Sequence, residues 1–138
     1  WFYVVNELKS SVTLVKKEGD TYSVVNTVST LPEDFEGESF CADIHISSDG
    51  KFVYASNRGH QSIAIFKVQD DGNLESIGFE PVKGEHPRNF ALSPDEDFLL
   101  VANKNTNNLV SFKRDSATGL LQFIDEIEAP SPVCILFD

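Results

Sequence analysis

Phe52-Val53-Tyr54-Ala55-Ser56-Asn57-Arg58 is an apolar run closed by an asparagine and a charged residue, and the pattern occurs three times in the chain. Phe2-Tyr3-Val4-Val5-Asn6-Glu7 precedes it and Phe98-Leu99-Leu100-Val101-Ala102-Asn103-Lys104 follows. Six positions after each asparagine a second apolar run begins, at Val12, Ile63 and Leu109. The asparagines stand 51 and 46 residues apart. That period matches the roughly 40–50 residues of one four-stranded propeller blade.

Short runs rich in Val, Ile, Phe and Tyr, separated by Gly, Asp, Asn and Ser, predict strands throughout, and helical periodicity is sustained nowhere. The middle unit reads as an innermost strand over 42–47, a tight turn at Asp49-Gly50, and a second strand over 52–56. A connection over 57–61, a third strand over 62–68, a turn at 70–73 and an outer strand over 74–79 complete it. The next unit repeats this order at a constant shift of 46, with Ile44 on Phe90, Asp49 on Asp95 and Phe66 on Phe112. The expected fold is all-β, a propeller segment of two to three four-stranded blades over about 1–40, 41–85 and 86–131, with 132–138 starting a further blade. A closed ring takes about 4–8 blades. The chain is therefore expected to be part of a longer protein, whose other blades cover the apolar faces left open here. The acidic stretch over 31–40 reads as a surface loop, with a lid over a site as the sharper alternative.

At 138 residues, 41% hydrophobic and 24% charged, the composition is that of a folded soluble domain. A net charge of −11 argues against nucleic acid and against an anionic membrane surface as partners. A small anionic ligand held by a local group of arginines is compatible with it. Cys41 and Cys134 show no metal-ligand spacing and read as two buried reduced thiols. Asp49-Gly50 and Asp95-Glu96-Asp97 are faintly similar to a calcium loop, but repeated blade turns account for them.

The repeat shows where units differ. Glu7, Arg58 and Lys104 follow the three asparagines and should lie near one rim of the ring. His45 stands between Ile44 and Ile46 where the next unit has Ala91, so the blade itself does not require an imidazole there. Arg88 stands where the preceding unit has Ala42, and it shares parity with Phe90 and Leu92. It reaches the channel only if regular pleating begins after it.

The strings VVNELKSSVTLV (4–15), ADIHISSDGKFVYASNRGHQSIAIF (42–66) and HPRNFALSPDEDFLLVANKNTNNLVSF (86–112) resemble the C-terminal part of the seven-bladed propeller lactonases. That family includes bacterial 6-phosphogluconolactonases and a fungal carboxymuconate lactonizing enzyme. The resemblance implies a site of Glu7, His45, Arg58 and Arg88 around a central channel, acting on a small anionic lactone without cofactor or metal. Hydrolysis of 6-phosphogluconolactone is the implied reaction, with a cycloisomerase or a non-catalytic binding scaffold as alternatives. It also implies a cytoplasmic setting, with the periplasm open. The 138-residue piece alone is expected to be inactive, because a partial ring cannot preorganise a central site.

Overall fold

The computed structural model describes all 138 residues. The chain runs β1 (Phe2–Asn6), a 3-10 turn (Glu7–Lys9), β2 (Ser11–Glu18), β3 (Thr21–Ser29), β4 (Phe40–Ile46), β5 (Phe52–Arg58) and β6 (Ser62–Val68). It continues through β7 (Leu74–Pro81), β8 (Pro87–Leu92), β9 (Phe98–Asn103), β10 (Asn108–Arg114) and β11 (Leu121–Glu128). The strands form three antiparallel sheets, β1-β2-β3, β4-β5-β6-β7 and β8-β9-β10-β11, which are the blades of a propeller segment. No helix is long and apolar enough to cross a membrane.

Each inner hairpin closes through the same side chains. Ser47 Oγ donates to Asp49 Oδ1 (2.7 Å), and the amides of Lys51 and Phe52 donate back to Asp49 and Ser47. Ser93, Asp95, Asp97 and Phe98 repeat the pattern. Hydrogen bonds from Ser47 and Lys51 hold the Asp49 carboxyl down at about 2. These aspartates serve the turns. In the third blade Glu96 takes the left-handed position (φ 58°) that Gly50 holds (φ 71°) in the second. Its carboxylate offsets that strain by accepting from Ser48 N (2.7 Å) and pairing with the buried Arg114 (3.7 Å), which joins the two blades.

Since side chains alternate along a strand, β5 serves two cores. Phe52 and Tyr54 pack with Ile63 and Ile65 against Phe90, Leu99, Val101, Val110 and Phe112 of the third blade. Val53 and Ala55 pack with Ala64 and Phe66 against Val12 of the first. Tyrosines pin each seam: Tyr3 Oη donates to Gly72 O (2.7 Å) and Tyr54 Oη to Gly119 O (2.8 Å). The outer faces of the end blades stay uncovered, with Phe2, Val4 and Val24 exposed at one end and Ile127 at the other.

The repeated asparagine is structural in the second and third blades. Asn57 is fully buried, donating to Thr30 O (2.6 Å) and Ser62 Oγ (3.1 Å) while accepting from Thr30 Oγ1 (2.7 Å). Thr30 lies on the link from the first blade, so the side chain fastens one blade to the next. Asn103 does the same with Val82 O (2.9 Å), but its own buried Oδ1 has no partner. β5 therefore runs two residues past the expected end at Ser56, because Asn57 stays in register with Cys41 and Ser62, and Arg58 with Phe40.

One feature departs from the sequence reading. Cys41 is buried as expected, whereas Cys134 is exposed. The stretch over 129–138 pairs with no strand of this chain, and nothing packs over the thiol. The acidic loop is fastened at two points: Ser39 Oγ donates to Arg58 O (3.1 Å), Ser10 Oγ donates to Ser39 O (2.6 Å), and Phe35 packs edge-on against His60. Fixed in this way, it buttresses the back of the β5–β6 turn.

Because Asn57 satisfies more buried partners than Asn103, Asn57→Ala is expected to cost about 3 kcal/mol and Asn103→Ala about 1 kcal/mol. Urea denaturation of the full-length protein checks this, and the reverse order would contradict it.

Candidate functional site

Arg58 ends β5 with only 13% of its side chain exposed. Its Nη2 donates to Glu7 Oε1 (2.5 Å) and to Cys41 O (2.7 Å), while its buried Nε has no partner. Gly59 makes this placement possible. Its φ of 119° suits glycine, and a Cβ there would lie 2.2 Å from Glu38 O. Only glycine lets the acidic loop approach closely enough for Ser39 to hold the Arg58 carbonyl.

Glu7 opens the 3-10 turn, mostly exposed, with its carboxylate on Arg58. The Arg58 hydrogen bond, then the Arg58 charge, hold its carboxyl below the usual range, and Arg88 adds to the effect. Nearby His86 is pushed down by burial and then by Arg58, Lys104 and Arg88. The rim thus gathers three permanent cations from two blades within a chain of net charge −11. Arg88 and Lys104 make no side-chain hydrogen bond or ion pair within the chain, leaving both free for an anion.

The parity problem at Arg88 is resolved by a bulge. Pro87 pairs with Asn103 and Asn89 with the adjacent Ala102, so Arg88 is the extra residue and turns outward while Phe90 remains buried. β4 carries the equivalent bulge between Cys41 and Ile44. There Ser56 Oγ accepts the Asp43 amide (3.1 Å) and the Asp43 side chain turns toward the third blade.

Asp43 was not singled out from sequence, yet it is the most heavily bonded acid near the expected hub. Its Oδ2 accepts from His45 Nε2 (3.2 Å), Asn89 Nδ2 (2.5 Å) and Phe90 N (3.2 Å), and its Oδ1 from Ile44 N (2.9 Å). Asn89 Oδ1 accepts in turn from Ile135 N (2.7 Å). A signal existed in the sequence: Asp43 and Asn89, of equal shape and 46 residues apart, are polar at the same position of two repeated strands.

The four expected residues fall into two groups. Glu7 and Arg58 are in contact, and Arg88 is close enough to act on Glu7. His45 touches none of these three. It is 37% exposed, bonded to Asp43, with its ring edge-on to Phe90 at 4.8 Å. Cys41, which receives the Arg58 bond, and His45 are four residues apart on β4, or roughly 13 Å. No single cavity of the chain is lined by all four. A depression of about 280 Å³ includes His45, with Trp1, Tyr3, Ile44 and Val53. No three His, Cys, Asp or Glu side chains group closely enough to hold a metal ion.

The antiparallel bladed sheets define a segment of a β-propeller, and the comparisons with known proteins name the family. Residues 1–137 match the model for lactonases of the 7-bladed beta-propeller type, and the chain belongs to that family. It is 39% identical to a 6-phosphogluconolactonase of Bacillus subtilis, with 98% of this chain and 40% of the relative aligned. A 6-phosphogluconolactonase of Formosa agariphila is 46% identical, over 87% of this chain and 35% of the relative. Among solved structures, a periplasmic gluconolactonase of Pseudomonas aeruginosa superposes with a TM-score of 0.91 at 32% identity, covering 96% of this chain and 38% of that one. The chain spans about two fifths of the length of such relatives.

Removing the guanidinium should let the Glu7 carboxyl rise toward its ordinary 4.5. Carbon NMR titration of Glu7 in Arg58→Ala against wild type checks this. An unchanged midpoint would contradict the ion pair.

Proposed function

We propose that the full-length protein hydrolyses a sugar lactone, with 6-phosphogluconolactone as substrate and 6-phosphogluconate as product. The observation that carries this reading is the cationic rim of Arg58, Arg88 and Lys104 in an acidic chain, set apart along β4 from an imidazole. This substrate carries its phosphate and its lactone carbonyl as distinct groups on either side of the ring oxygen, so cations can hold one while a base serves the other. Arginine binds phosphate through two parallel hydrogen bonds, which Arg88, with no partner in the chain, is free to offer, while Arg58, held by Glu7 and Cys41 O through Nη2, adds its charge and its Nη1.

Of the two candidate bases, His45 is favoured. Glu7 is a poor proton acceptor because its lone pairs face Arg58 and its carboxyl is depressed. Its part is to hold Arg58 in place. His45 takes a proton from water as the water oxygen attacks the lactone carbon. When the ring C–O bond breaks, that proton passes to the departing alkoxide, leaving a hydroxyl and a carboxylic acid, which releases its remaining proton to solvent to give the carboxylate.

The rest of the ring is the partner this site needs, with further blades against the exposed apolar end faces and 132–138 as the inner strand of the next. The similarity of this chain to 6-phosphogluconolactonases supports the substrate assignment.

Turnover of 6-phosphogluconolactone by the full-length protein is the test. Arg58→Ala and Arg88→Ala should each lower kcat/KM by about 100-fold. Full activity in both, or turnover of a carboxymuconate instead, would refute the assignment. Residues 1–138 expressed alone should show no turnover above the uncatalysed rate, and a rate equal to that of the full-length protein would contradict the need for a closed ring.

A further inference from the structure

We infer that Asp43 is a positioning residue that fixes His45 with its proton on Nε2 and its lone pair on Nδ1. The inference rests on the reading of His45 as the base, and it adds which nitrogen acts and what selects it.

Every contact of the Asp43 carboxylate is with a donor. Oδ2 receives His45 Nε2, Asn89 Nδ2 and Phe90 N, and Oδ1 receives Ile44 N. Three of these four donors always carry hydrogen, so Asp43 has no reason to be protonated, and His45 supplies the proton of the shared contact. His45 Nδ1 makes no hydrogen bond within the chain. It is the nitrogen left free to accept a proton from water. The Phe90 ring beside the imidazole restricts its rotation. Burial pushes the Asp43 carboxyl up, but His45 and the amides of Phe90 and Ile44 outweigh that and leave it below its ordinary value. An ionised partner both selects the tautomer and stabilises the imidazolium formed during attack.

The repeat separates this role from simple blade joining. At the equivalent position of the third blade, Asn89 bridges to Ile135 N with a neutral amide, and the residue two positions on is Ala91. Bridging to the next blade therefore needs no charge. A carboxylate stands at this position where the following strand residue is His45, and an amide stands there where it is alanine. The bulge aims both side chains at the same seam, so the base is held by the contact that joins two blades.

The test is Asp43→Asn in the full-length protein, a substitution that installs the residue the fold already uses one blade later. Turnover should lose roughly 100-fold in kcat with KM within about threefold of wild type. In a His45→Gln background the same change should cost less than about threefold more, because Asp43 acts through His45. Equal losses in both backgrounds would overturn the inference. Nitrogen NMR of histidine-labelled protein at mildly alkaline pH gives a readout independent of activity. Wild-type His45 should show a protonated Nε2 and a bare Nδ1, and Asp43→Asn should move it toward a mixture. Averaged tautomers in wild type would overturn the proposal, even if the variant failed to fold. If His45→Gln leaves turnover unchanged, His45 is not the base of the proposed hydrolysis. The nitrogen spectrum then still decides whether Asp43 sets the tautomer.

Discussion

Neighbouring blades share no backbone ladder, since each sheet closes on its own strands, and apart from backbone bonds along the connecting links the joining is done through side chains. Apolar packing supplies most of the adhesion, but it is non-directional and cannot set the angle or depth of one blade against the next. Directed contacts do that at three radii. Asp43 and Asn89 act at the innermost strands, Asn57 and Asn103 at the links between blades, and Tyr3 and Tyr54 at the outer hairpins. All but Asn103, whose Oδ1 stays unpaired, are polar groups with their partners supplied, because an unpaired one costs more than a made bond returns.

The innermost of these contacts exists because β4 and β8 are bulged. An unbroken pleat would send position 43 and position 88 to the faces their parity dictates, and Arg88 would share the buried side of Phe90. One extra residue per strand turns Arg88 outward and leaves Asp43 and Asn89 aimed along the seam. The same irregularity thus serves adhesion in both blades and frees a cation in one. The residues proposed to act stand at repeat positions where the fold tolerates variation: Arg88 where the preceding blade has Ala42, and His45 where the next has Ala91.

The architecture was legible because strand alternation, Asp-Gly turns and a repeated asparagine are local signals that recur at a fixed spacing. Arg58 and Glu7 were legible as charged residues at equivalent turns, and they meet. Asp43 was not, because its meaning comes from Asn89 and Phe90, 46 and 47 residues away on another blade. Nor could spacing reveal that Asn57 is wholly buried, since the same letter before a charge also describes an exposed turn. Cys134 was misjudged for the converse reason: its apolar neighbours suggest a core strand, but no strand of this chain pairs with it. The separation of His45 from the arginines depends on distance along β4, which a motif match does not encode.

Arg58, Arg88 and Lys104 stand together in a chain of net charge −11, and the proposed anion binding rests on that grouping. The central claim is that Arg58 and Arg88 hold the phosphate end of a lactone while its carbonyl lies toward His45. A crystal structure of the full-length protein with 6-phosphogluconate bound addresses this most directly. The account predicts phosphate oxygens within hydrogen-bond distance of both guanidinium groups and the carboxylate on the His45 side. Ligand density away from these arginines, or with its two ends reversed, would contradict it.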